Sequence, residues 1–223
     1  MPTPSESRAA LEVLTSSAIG TSQDVFAGLN GSPVEQRAVL LEVVPEIVGY
    51  FSEGSAALAV DFYDERRELA AVTTAFVPQL VVTDRTVKLR RAVAWSTEPL
   101  FGGDEAASVL VAARLAEVIQ LDVARPYRDT ILTNRRQDPA SVGWRRITRG
   151  GCRFCRMLAD RGAIYRQATA RFAAHPACHC TAEPVFNTND TGEEASVMQY
   201  MASRHNRTPA QQAALRDYLD TFY

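Results

Sequence analysis

Apolar residues recur every three to four positions through the first 130 residues, which is the spacing of one face of an α-helix. Ala9, Leu11, Leu14 and Ala18 start the pattern, and Val25, Phe26 and Leu29 continue it. The spacing predicts helix over residues 6–29 in two pieces, with a break at Gly20 and a new cap at Thr21 or Ser22. Asn30-Gly31-Ser32-Pro33 reads as a turn. Ser32, Pro33 and Glu35 then form a capping-box signature at the head of a helix that carries Val39, Leu40, Val43, Val44 and Ile47. Pro45 lacks a backbone donor, and a kink is expected there. Helical spacing resumes from Ser52 to about Val77, through Ala56, Leu58, Ala59, Phe62, Tyr63, Leu69 and Val72. The charges of Asp61, Asp64, Glu65, Arg66 and Arg67 are expected on a solvated face, where ion pairs contribute only ~0.2–0.5 kcal/mol each. Leu80–Val87 fits either a short strand or a linker. Asp104 is the expected cap of a helix running from Ala106 through Val109, Leu110, Ala113, Leu115, Ala116 and Ile119, and onward past Pro126 to Leu132.

The pattern then changes. Asn134–Gly143 is a polar connector, and short alternating runs follow at Trp144–Thr148, Ala163–Arg166 and Thr181–Phe186. Gly150-Gly151 and Gly162 supply turns. After a polar loop from Asn187 to Glu193, a short helix is expected from Glu194, and Thr208-Pro209 opens a last helix toward Tyr223. The predicted class is α+β. A mostly helical region, residues 1–134, precedes a small β-containing module with a C-terminal helix, residues 135–223.

Composition narrows the function classes. The chain has 223 residues, 46% of them hydrophobic, and a formal net charge of −2, as in a folded globular protein. No apolar run reaches the ~20 residues needed to cross a bilayer. The first residues lack a basic stretch followed by an apolar one, so no signal peptide is expected, and a reducing cytoplasm is the expected compartment. Charge is unevenly placed. Between Arg125 and Arg171 lie twelve arginines and three acids, net +9, while the remainder has 12 basic and 23 acidic residues, net −11. Two readings of the basic stretch stand side by side: a patch for nucleic acid or an acidic protein surface, or intramolecular packing against acidic helices. The candidate contact residues are Arg135, Arg136, Arg145, Arg146, Arg149, Arg153 and Arg156.

All four cysteines, and two of the three histidines, lie between positions 152 and 180. Cys152 and Cys155 form a C-x2-C pair, and His175, Cys178, His179 and Cys180 form a second half-site. A C-x2-C pair lets two thiolates converge on one ion, with Zn–S of ~2.3 Å and tetrahedral closure by two further ligands. Those two come from His175, Cys178 and Cys180, with His179 the weaker candidate; the favoured pair is His175 and Cys178, with Cys180 a close competitor. Two disulfides are the rival use of four cysteines, disfavoured in a reducing compartment. Buried thiols packing as small hydrophobes are the other rival. The sulfur-rich set fits one closed, structural zinc ion per chain rather than a catalytic one. No H-E-x-x-H, no zinc-deaminase pattern, no phosphate loop and no nucleophile elbow occurs. Glu183, the acid nearest the second half-site in sequence, reads as solvated, His205 as a surface residue, and Trp95 and Trp144 as packing residues.

The segments Gly143-Trp144-Arg145-Arg146-Ile147-Thr148-Arg149-Gly150-Gly151-Cys152-Arg153-Phe154-Cys155 and His175-Pro176-Ala177-Cys178-His179-Cys180, with Arg128-Asp129-Thr130-Ile131 upstream, resemble the MuF-type minor head (head morphogenesis) proteins of tailed phages that infect actinobacteria. The likeness covers about residues 125–187 and extends loosely to Tyr63–Arg67. It implies a minor capsid protein that associates with the portal and with capsid or scaffold proteins. Its place would be the host cytoplasm during assembly and the interior of the virion afterwards, with no membrane. The arginine-rich stretch would face the portal, the scaffold or packaged DNA. Some relatives are labelled capsid maturation proteases. That activity, and a nucleic-acid-binding zinc module, are the two rival functions.

Overall fold

The computed structural model describes residues 3–103, 105–149, 152–162, 172, 174, 175, 177–187, 189 and 208–222. Three long helices dominate: α1 (Pro4–Gly28), α2 (Pro33–Leu69) and α4 (Ala107–Gln137). A shorter α3 (Thr86–Ser96) and a 3-10 turn (Glu98–Phe101) lie between α2 and α4. The second part holds β1 (Gly143–Ile147), α5 (Arg153–Asp160), β2 (Thr181–Val185) and α6 (Pro209–Phe222). Mostly helical, with one small sheet and a C-terminal helix, the chain is α+β as predicted.

Both capping-box helices start where the side chains dictate. Thr3 and Glu6 close the head of α1, and Ser32 and Glu35 close the head of α2. The predicted break at Gly20 does not occur, and α1 runs through it as one helix. The buried stripe Ser7, Leu11, Thr15, Ala18 and Ser22 stays in register on both sides of Gly20, and packing outweighs the ~1 kcal/mol that glycine costs a helix interior. Likewise α2 continues past Pro45, between the buried Val44 and Val48. It stops at Leu69, earlier than the spacing predicted. Ala71 takes a positive φ of 51°, which ends the helical course.

Leu80–Val87 resolves into a linker followed by the start of α3, a helix the sequence reading missed. The linker's backbone bonds to side chains of α4 rather than to a strand. Gln79 N–H donates to Asn134 Oδ1 at 2.7 Å, Asn134 Nδ2 returns a bond to the Gln79 carbonyl at 2.8 Å, and Val81 N–H donates to Thr130 Oγ1 at 3.1 Å. Asn134 therefore lies inside α4, buried, and the connector begins at Asp138. Asp104, Gly150, Gly151, Ala163–Arg166, the expected helix from Glu194 and His205 fall outside the described residues.

Two apolar clusters fill the helical body. In one, Ala18 of α1, Leu40, Val44 and Val48 of α2, Leu89 and Val93 of α3, and Val111, Leu115, Ile119 and Val123 of α4 interlock. The four-residue steps along α2 and α4 keep one stripe of each helix on the shared seam. In the other, Leu11, Ala59, Phe62, Tyr63, Tyr127, Ile131 and Leu132 meet Trp144 of β1 and Ala182 of β2. Strands β1 and β2 pair antiparallel, from Gly143 opposite Val185 to Ile147 opposite Thr181. Packing is thus continuous across the expected boundary at residue 134.

Polar groups are buried at the same junction. Arg67 pairs with Asp138, which also accepts from Tyr63 Oη at 3.2 Å. Glu183 is buried rather than solvated, and takes Arg66 at 2.7 Å and Arg145 at 3.3 Å. The expected solvated face of 61–67 is therefore partly an inner one, because β2 lies against it. Trp144 is buried as predicted, whereas Trp95 is 45% exposed beneath the Arg114 guanidinium, 4.5 Å from its ring centre.

Candidate metal centre

The first half-site is the start of a helix. Cys152 is the N-cap of α5 in an extended conformation, and its carbonyl accepts the Arg156 N–H at 2.9 Å. Cys155 lies in the first turn and is buried. A three-residue step on a helix turns both sulfurs to one side, and the free amides of the first turn favour negative charge there.

The second half-site is a turn. Cys178 N–H donates to the His175 carbonyl at 3.1 Å, with Ala177 in the left-handed region at φ 56°. This turn folds His175 back beside Cys178. Cys180 follows one residue before β2 and is buried, its sulfur 3.4 Å from Thr148 Oγ1.

All five predicted donors come together around one cavity of about 210 Å³, which Thr148, Arg149, Ala177 and His179 also line. The donor atoms of Cys152, Cys155 and His175 lie within 4.8 Å of one another, as do those of Cys155, Cys178 and Cys180. Cys155 belongs to both sets. Its sulfur is 4.0 Å from that of Cys178 and 3.2 Å from His175 Nε2. Two thiolates held at ~2.3 Å on a tetrahedral ion stand about 3.8 Å apart, so the spacing suits a four-coordinate metal. All four cysteines are free, without disulfide bonds. His179 is exposed and turns Nδ1 toward Glu12 of α1, 3.6 Å away.

The cluster is electropositive on its inner side. Arg146 is buried, with Nη1 3.7 Å from Cys155 Sγ and 3.9 Å from Cys178 Sγ. Arg128 of α4 is buried too, and donates from Nε to the Cys180 carbonyl at 3.0 Å and from Nη2 to the Cys178 carbonyl at 2.7 Å. Gln120 of α4 adds a third bond, to the Cys178 carbonyl at 2.7 Å. Phe172 lies under both guanidiniums, 4.9 Å from Arg128 and 3.9 Å from Arg146, and stacks on Trp144. The Cys178 thiol is held below its ordinary range by hydrogen bonds from Cys155 and Cys180, then by Arg128. The Cys155 thiol is pushed up, first by its hydrogen bond to Cys178 and then by that to Cys180.

The candidate contact arginines separate by burial. Arg136, Arg149 and Arg153 are exposed, and the latter two pair with Glu12 and Asp220. Arg145 and Arg156 are half-buried. Arg135 and Arg146 are buried and are not available to a partner; Arg135 Nη2 donates to the Val142 carbonyl at 3.4 Å. Arg128 and Gln120 were missed as site residues. They lie 50 or more positions from Cys178, and only α4 packing on β2 brings them near.

The fold and site together define a helical protein that carries a Cys/His cluster competent to hold a metal ion. The chain belongs to the VG15 protein family, whose model matches residues 3–208. This is a viral gene-product family, in keeping with a phage protein. No curated protein and no solved structure matches the chain. Among the described residues, no helix is long and apolar enough to cross a membrane.

Proposed function

We propose that this chain is a MuF-like minor head protein, which joins the portal and the capsid or scaffold proteins during procapsid assembly and remains inside the head. One structural zinc ion, held by four of Cys152, Cys155, His175, Cys178 and Cys180, staples its C-terminal module. The observation that carries the reading is the convergence of all five donors on one cavity in a chain of a phage family. A sulfur-rich donor set is typical of closed structural zinc sites, and such a site stabilises a small unit with little core of its own. Here that unit is a two-stranded sheet and one short helix. Of the candidate arginines, Arg136, Arg149 and Arg153 are exposed, which supports contact with a partner surface or packaged DNA.

The test is assembly with the cognate portal, scaffold and capsid proteins, followed by purification of procapsids. The expected result is low-copy retention of this chain in portal-containing procapsids and its absence from portal-less ones, with about one zinc per chain in the purified protein. Equal absence from both kinds of particle would overturn the minor head reading. Cleavage of a head protein by the purified chain would favour the maturation protease instead.

A further inference from the structure

A buried arginine that lacks an acidic partner needs an explanation. Arg128 is 3% exposed, and among the described residues no carboxylate lies within ion-pair distance of it. Its polar contacts are the two carbonyls of Cys178 and Cys180, and its face lies on Phe172. Carbonyls and a ring solvate a guanidinium but do not neutralise it, and an uncompensated charge in the interior is strongly destabilising. Arg146, also buried, brings a second positive charge to the same cluster, with Nη1 directed at the sulfurs of Cys155 and Cys178.

The compensating charge is available from the cluster itself. It offers four thiols and one imidazole. Any four of these five donors include at least three thiolates. A divalent ion with three thiolates and a neutral imidazole is net −1, and with four thiolates net −2. We propose that Arg128, together with Arg146, is the built-in counter-charge of an anionic metal–thiolate centre, and that Arg128 is the positioning residue through which metal binding clamps the Cys178–Cys180 segment onto α4. This rests on the metal reading above and adds the residue that transmits the ion's effect to the helical body. Outer-shell groups of this kind typically change metal affinity 10- to 100-fold.

The experiment compares Arg128→Met with the unmodified full-length chain, reduced and free of oxygen. Zinc affinity is read by competition with a chromophoric chelator, and urea unfolding is followed with and without zinc. The expected result is at least a tenfold weaker affinity in Arg128→Met, within the range above, and a smaller loss of stability in the metal-free state than in the zinc-bound one. Arg128→Lys keeps the charge but not the two-pronged contact to both carbonyls, and should recover part of the affinity. If Arg128 were only a hydrogen-bonding strut, Arg128→Met would destabilise both states equally, and that result would overturn the proposal. Unchanged zinc affinity would overturn it as well. Arg146→Met, measured in parallel, also removes a charge but leaves both carbonyl bonds in place. It should weaken zinc too, and keeps the idea falsifiable if Arg128→Met does not fold. Failure of the unmodified chain to bind zinc would refute the metal reading itself, an outcome separate from equal affinities in variant and parent.

Discussion

Among the residues buried where the helices meet the sheet, Asp138 ranks with Arg128 in consequence. Its side chain is fully buried and pairs with Arg67, whose side chain is only 7% exposed. It also accepts from Tyr63 Oη and from the Ala140 N–H, 2.9 Å from Oδ1. Asp138→Ala leaves the Arg67 charge without its partner. Loss of one member of a buried pair costs about 3–5 kcal/mol, and urea unfolding at neutral pH should show a loss of that size. A change within the ~0.5 kcal/mol typical of surface substitutions would show that the pair is solvated in solution. Sequence alone put Arg67 among solvated charges, since helical spacing cannot tell which turn a later strand will cover.

At the scale of elements, the capping boxes act as local, titratable fasteners. The Glu35 carboxyl is held below the ordinary glutamate range, first by the Ser32 backbone N–H and then by the Ser32 hydroxyl, and Glu6 is held down by Thr3 in the same way. A carboxylate whose folded value is depressed contributes stability that is fully present above its unfolded value and lost as pH falls through the lower folded one. Glu35→Ala should therefore lower the urea midpoint near neutral pH, with the gap to the parent chain narrowing once the pH drops below about 4. A gap that stayed constant down to about pH 2.5, where the carboxyl is protonated in either state, would rule out this account. Both boxes were legible as Ser or Thr followed by Glu three residues later, because capping chemistry needs only neighbours in sequence. Ser32–Glu35 sits behind a clear turn, whereas Thr3–Glu6 carries the same signature with no preceding element to mark it. The third helix was not legible. Thr86–Ser96 buries only Leu89, Val93 and Ser96, and Arg90-Arg91 interrupts its apolar face in sequence.

Taken whole, the molecule is a helical body with a metal-competent module seated on one end of it. Within the net +9 stretch, Arg145 meets the buried Glu183, Arg149 and Arg153 meet Glu12 and Asp220 at the surface, and Arg128 and Arg146 turn to the cysteines. Arg128 and Gln120 tie the Cys178 turn to α4, so removal of an ion bound at the cluster should loosen the module before the helical body. Treatment with a strong chelator is expected to lower the thermal midpoint and to raise amide exchange in β1 and β2 first, with α1 and α2 following only at global unfolding. Identical melting curves and exchange patterns before and after chelation would show that the cysteines act as core residues alone.

The order of scales also explains what could be read in advance. Helical stripes, the Ser32–Glu35 cap, the stretches that become β1 and β2, and the five candidate donors follow from spacing along the chain. Each depends on residues within a few positions of one another, or on cysteine and histidine, whose clustering within 29 residues is informative in itself. The inward turn of Arg67 to Asp138, the burial of Glu183 against Arg66 and the role of Arg128 depend on partners 50 or more positions away. Those contacts exist only once α4 lies against both α2 and β2. The sequence determined what chemistry the chain carries; tertiary packing decided which charges that chemistry is balanced against, because burial, and with it the strength of every electrostatic interaction, is a property of the folded whole.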